Sequence, residues 1–163
     1  MSFCNRRHIL LGLPALLAAC GFEPALAPGS PASRLYNTVL IDAPSSRLQF
    51  LLTRELETRL GRGSAAQYGL SLSITMRERA VGISSSDVTT RFNLLGSVKY
   101  ALRDFQSKAV LITGAESNFV SYGATGTTVA TQAAERDAQE RLMVIMADQI
   151  MNGLISQSDA LPA

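Results

Sequence analysis

Leu17-Ala18-Ala19-Cys20-Gly21 divides the chain in two and leaves only the second part to fold. Small Ala18 and Ala19 after branched Leu17 suit a narrow peptidase cleft. Cys20 offers a thiol that takes a diacylglyceryl group before cleavage exposes its amine. The stretch is a lipobox, and it makes Cys20 the first residue of the mature chain. Upstream, Arg6 and Arg7 precede an apolar run from Ile9 to Ala19, shorter than the roughly 20 residues that a bilayer-spanning helix needs. Residues 1–19 are therefore expected to be a lipoprotein signal peptide and not a membrane span. The Arg6-Arg7 pair also fits a twin-arginine signal, with the general secretory route as the alternative. Acyl chains on Cys20 would hold the folded part on a membrane, each buried methylene contributing about 0.8 kcal/mol.

Removing residues 1–19 also removes chemistry. Cys4 and His8 leave with the signal and Cys20 is consumed as a thioether, so from residue 21 onward the chain has neither Cys nor His. That excludes Cys/His zinc sites, Cys nucleophiles, His bases and disulfides, and no metal or cofactor is expected. Of the 15 Lys and Arg, Arg6 and Arg7 fall in the signal, which leaves 13 against 13 Asp and Glu. The mature chain is neutral, and no nucleic-acid partner is expected. Its length suits one domain with an adequate core.

Residues 20–34 are rich in Pro, Ala and Gly and are expected to be a lipidated, extended tether. A single domain over 35–157 and a C-terminal tail over 158–163 follow. Leu35 to Asp42, with Tyr36, Val39, Leu40 and Ile41, suits a first strand closed before Pro44. Ser46 and Gln49 have capping-box spacing, and Leu48, Leu51, Leu52, Leu56 and Leu60 then recur at three and four, the pattern of an amphipathic helix. Gly61 or Gly63 can take its left-handed cap. From Leu70 the period becomes two: Leu70, Leu72, Ile74 and Met76 alternate with polar residues. Phe92, Leu94, Gly96, Val98, Tyr100 and Leu102 share one face of a third strand. Asp104 to Ser107 has turn chemistry, and Ala109 to Tyr122 returns as a fourth strand whose facing the pattern leaves open, with Gly114 a candidate bulge. Val129 to Ile155, free of Pro and rich in Ala, Glu, Leu and Met, predicts a second helix.

The order β-α-β-β-β-α predicts an α+β two-layer sandwich, with two helices on one face of a mixed four-stranded sheet. Strands one and two, joined through a helix, pair in parallel, and strands two to four form an antiparallel meander. The other face then carries Arg77, Arg79, Arg91, Lys99 and Arg103 among Ser71, Ser73, Thr75, Asn93 and Ser97, and no acidic residue is expected to share it. That row suits an acidic or phosphate-bearing partner, and it equally suits a solvated sheet face. Leu142-Met143-Val144-Ile145-Met146-Ala147 is apolar all round its helix, which fits either core or a partner surface.

No catalytic constellation emerges. Ser84 to Ser86 have no base nearby in the sequence, and Glu135, Asp137 and Glu140 fall on the polar side of their helix. Gly123-Ala124-Thr125-Gly126 lacks the Lys of a phosphate loop. The chain is not expected to be an enzyme.

Cys20-Gly21-Phe22-Glu23-Pro24, Thr90-Arg91-Phe92-Asn93-Leu94 running on to Tyr100-Ala101-Leu102-Arg103-Asp104, and Ala133 to Ala138 followed by Ala147-Asp148-Gln149-Ile150 together resemble the lipopolysaccharide-assembly lipoprotein family LptE in its alphaproteobacterial form. The resemblance spans nearly the whole mature chain. It implies a lipid-anchored protein on the periplasmic side of the outer membrane. In that role the protein would plug an LptD β-barrel, aid the barrel's assembly and engage lipopolysaccharide. Gly21 after Cys20 agrees with outer-membrane sorting. The competing expectation is an auxiliary lipoprotein of an envelope lipid-transport ABC system, which would share the lipobox, tether and small α/β domain.

Overall fold

The computed structural model describes residues 26–83 and 89–162. The lipobox, the signal peptide and Ser84 to Ser86 lie outside them. Four strands, β1 (Val39–Ile41), β2 (Tyr68–Ile83), β3 (Thr89–Asp104) and β4 (Val110–Gly123), form one open sheet in the order β1-β2-β3-β4. β1 pairs with β2 in parallel, and the other neighbours are antiparallel. Helices α1 (Arg47–Leu60) and α2 (Thr128–Ser156) cover one face. The predicted α+β sandwich and its element order are as observed.

The start of α1 shows how local chemistry sets an element. Ser46 caps it by accepting from the Gln49 backbone N–H at 3.3 Å. Gln49 returns the contact one residue further out than a capping box does: its Oε1 accepts from both the N–H and the hydroxyl of Ser45, each at 2.7 Å. The Gln49 amide also donates to the Leu72 carbonyl at 3.2 Å, tying the first turn to β2. Gly61, at φ 78, ends the helix. Leu51, Leu52, Leu56 and Leu60 are buried as their spacing predicts.

The core continues through Leu70, Leu94, Val98, Tyr100, Leu102, Ile112 and the inner face of α2. Burial along β2 tapers away from the tether. Leu70 is fully buried, Leu72, Ile74 and Met76 are half-buried, and Arg77 to Val81 are exposed on both faces. The β2–β3 ribbon therefore projects beyond the helical layer.

The facing of β4 is settled by its register. Ile112, Gly114, Glu116, Asn118, Val120 and Tyr122 are paired with the inward residues of β3. Polar Glu116 and Asn118 on the inner face explain why alternation alone did not decide it. Gly114 is not a bulge. The irregularity falls at Leu102/Arg103, and Gly114 lies opposite Tyr100. A Cβ at Gly114 would lie 2.3 Å from the Tyr100 Cζ and hydroxyl, and one at Gly153 would lie 2.1 Å from the same hydroxyl. The ring is held between two glycines on different elements and cannot retreat from one without meeting the other. Gly153→Ala should cost about 1–3 kcal/mol of stability by overpacking, and Tyr100→Phe should restore most of it, because the next ring atom is 3.3 Å away. Gly114→Ala should not be rescued, since Cζ itself is in the way. Urea denaturation of the single and double variants would show whether rescue is confined to Gly153.

Both ends of the domain take in more chain than expected. Pro31 to Arg34, placed in the tether by composition, and Leu35, expected to open the first strand, form a 3-10 turn capped by Ser30, with Ala32 and Leu35 buried. Residues 158–160 form a second 3-10 turn, and Leu161, expected in a loose tail, joins the core. Arg34 ties the two ends together, donating to the Leu161 carbonyl at 3.3 Å and to that of Pro162 at 2.8 Å. These hydrogen bonds join residues more than 120 positions apart, so a windowed composition cannot reveal them.

Candidate functional site

The helices leave the second sheet face uncovered, and cross-strand register fixes which residues share it. Successive rows are Gly69, Arg103 and Val110; Ser71, Ala101 and Thr113; Ser73, Lys99 and Ala115; Thr75, Ser97 and Ser117; Arg77, Leu95 and Phe119; and Arg79, Asn93 and Ser121. Arg91 lies across from Gly123 and Gly82. All five cations predicted for this face are on it. The hydroxyls between them are organised: Ser117 donates to the Ser97 hydroxyl at 3.1 Å, and Ser121 to Asn93 Oδ1 at 2.6 Å.

Two features depart from the expected row of free cations. Arg103 forms an ion pair with Asp42, which lies just past β1. An acid reaches the face from a strand edge that alternation in β2 and β3 does not cover, so Arg103 is neutralised. Arg77, Arg79, Arg91 and Lys99 form no ion pair among the described residues. The second departure is apolar: Leu95 and Phe119, cross-strand partners, stand exposed beside Arg77. Leu95 has the parity of Arg91 and Lys99 in the sequence, and this signal could have placed it outside the core.

Two open depressions follow. One, of about 500 Å³, is lined by Thr75, Arg77, Leu95, Ser97 and Phe119 among others. The other, of about 550 Å³, lies where Gly82, Thr90, Arg91, Ser121 and Thr125 meet. Glu78, within β2, points to the helical side, where the Tyr122 hydroxyl donates to it at 2.8 Å. Burial, this hydrogen bond and the neighbouring Glu78 and Glu135 charges push the Tyr122 phenol far above its ordinary value. It stays a neutral donor, and its ring stacks on Phe92 with centroids 5.5 Å apart. The arrangement is an amphipathic, positively charged surface and holds no nucleophile–base pair among the described residues.

The apolar run on α2 is core. Leu142, Met143, Met146 and Ala147 are fully buried, and only Val144 reaches solvent substantially. It offers no partner surface. Gly123 to Gly126 is a connector that leads to Thr127, whose hydroxyl caps α2 by accepting from the Ala130 N–H at 3.3 Å. Asp137 pairs with Arg141 at 2.8 Å, and Glu140 with Arg47 at 3.2 Å, both in solvent.

A family model described as LptE: Lipopolysaccharide-assembly matches residues 36–154. The chain belongs to the LptE family. A solved structure from Caulobacter crescentus CB15 is 29% identical, covers 79% of this chain and 96% of its own, and superposes with a TM-score of 0.67. Rare lipoprotein B from Shewanella oneidensis is similar at 13% identity and TM-score 0.58, covering 75% of this chain and 95% of its own. A minor lipoprotein from Acinetobacter baumannii shares 18% identity with a TM-score of 0.55, covering 77% and 92%. The last two establish likeness of fold. No curated protein matches the chain. LptE is a family of non-enzymatic lipoproteins. No helix among the described residues is long and apolar enough to cross a membrane.

Proposed function

We propose that this LptE-family protein is an outer-membrane lipoprotein, anchored through Cys20 on the periplasmic side. Its domain sits inside an LptD-like β-barrel, assists the barrel's assembly and takes part in inserting lipopolysaccharide. The observation that carries this reading is the uncovered sheet face, where Arg77, Arg79, Arg91 and Lys99 form no ion pair among the described residues and stand beside exposed Leu95 and Phe119. Cations meet phosphate or acidic groups, while the apolar pair meets acyl chain or barrel wall. Dimensions support it. β2 and β3 each have 16 residues, about 50 Å at roughly 3.3 Å per residue, against about 40–45 Å for a bilayer with its headgroups. Arg77, Arg79 and Arg91 lie in the half of the sheet remote from the tether.

Reversing Arg91 and Lys99 together to Glu tests the face. Surface charges away from packed side chains usually change stability by less than about 0.5 kcal/mol, whereas removing a charge-assisted hydrogen bond from a desolvated interface costs about 2–5 kcal/mol of affinity. The double variant should melt like the wild type and lose lipopolysaccharide binding or barrel co-purification roughly 30-fold or more. The wild-type interaction should weaken as salt rises. Normal melting together with wild-type binding to both partners in low salt would reduce the face to a solvated surface.

A further inference from the structure

The end of the sheet where the tether enters carries its own apolar surface, separate from the cationic half. Leu40, Gly69, Arg103 and Val110 form one cross-strand row on the uncovered face, and Leu40 and Val110 are exposed. Phe105 follows in the β3–β4 turn, also exposed, with the Lys108 ammonium 4.3 Å from its ring centroid. The turn that presents this pair is rigid. Asp104 Oδ1 accepts from the N–H groups of Gln106 and Ser107 and from the Ser107 hydroxyl at 2.7–3.1 Å. Tyr36, 59% exposed, precedes β1 at the same end. Arg34 brings the chain's other terminus there too, through the carbonyls of Leu161 and Pro162.

We propose that this end, through Tyr36, Leu40, Phe105, Lys108 and Val110, rests in the headgroup layer of the membrane that holds the anchor. The inference depends on the reading that Cys20 is acylated. Only five residues separate Cys20 from Leu26, the first described residue, and the stretch from one to the other spans at most about 20 Å when extended. A tether this short keeps the domain's near end at the bilayer surface. There, aromatic and aliphatic side chains enter the interface, while the Lys108 ammonium, over the Phe105 ring and donating to the Phe105 carbonyl at 2.6 Å, offers its positive charge to lipid phosphate. The neutral Arg103–Asp42 pair beside the row adds no net charge that would oppose this approach. Docking would fix the tilt of the domain relative to the bilayer.

The chain contains no Trp, so one introduced Trp reports alone. Phe105→Trp and, separately, Val110→Trp are made in the full acylated chain and reconstituted with phosphatidylethanolamine–phosphatidylglycerol vesicles. Phe50→Trp, on the exposed outer side of α1, is the control. Flotation is measured first, then emission and quenching by lipids carrying a headgroup nitroxide. At both near-end positions the emission should shift to the blue and most of it should be lost to the nitroxide, with neither change at position 50. If the protein floats and both near-end positions stay as water-exposed as position 50, docking is overturned and the anchor survives. If the protein does not float, the anchor reading fails and takes the docking proposal with it.

Discussion

Leu52→Ala is expected to lower the free energy of unfolding by about 2–5 kcal/mol, the range for emptying a fully buried leucine site in a packed core. Leu52 has no exposed surface and lies in the stripe that seats α1 against the sheet. Partial collapse of the site is limited. The first turn is tied to β2 through Gln49 and the Leu72 carbonyl, and Arg59 near the last turn is fastened to α2 by Asp148 at 2.7 Å. α1 is therefore held at both ends and cannot settle freely into the cavity. Chemical denaturation gives the value directly, and a loss under about 0.5 kcal/mol would contradict the packing of α1.

Leu142→Ala should cost a comparable 2–5 kcal/mol, while Val144→Ala, two residues along the same helix, should stay within about 1 kcal/mol. Leu142 lies over the sheet where β3 has Gly96, and a Cβ at that glycine would come 3.0 Å from the Leu142 Cδ2. The helix sits in a groove made by the missing side chain, and removing Leu142 empties it. Val144 is 37% exposed, so truncating it removes little buried surface. Equal costs at the two positions would mean that α2 is rotated from the orientation described. A loss of partner binding without loss of stability at Leu142 would return this run to the candidate surfaces.

Much of the candidate face was legible because a strand's side chains alternate with period two. Once Leu94 and Val98 point inward, Arg91 and Lys99 must point outward, whatever the rest of the chain does. The same parity exposes Leu95. Asp42 was hidden because its approach to Arg103 depends on β1 lying beside β2, and parity within one strand carries no information about its neighbour's edge. The Gly114 bulge was a misreading for a related reason. A glycine in a strand marks either a backbone irregularity or a close approach, and only the arrival of the Tyr100 ring from β3 distinguishes the two.

The sequence by itself determined the order and type of the elements, the inward stripe of α1, the inward face of β3 and the cation-bearing side of the sheet. Each of these follows from a local period of side-chain chemistry. Tertiary structure alone decided the facing of β4, the burial of the apolar run on α2, the neutralisation of Arg103 and the capture of both chain ends by Arg34. Those features rest on interactions between residues distant in the chain, and their free energy appears only when separate elements are brought together.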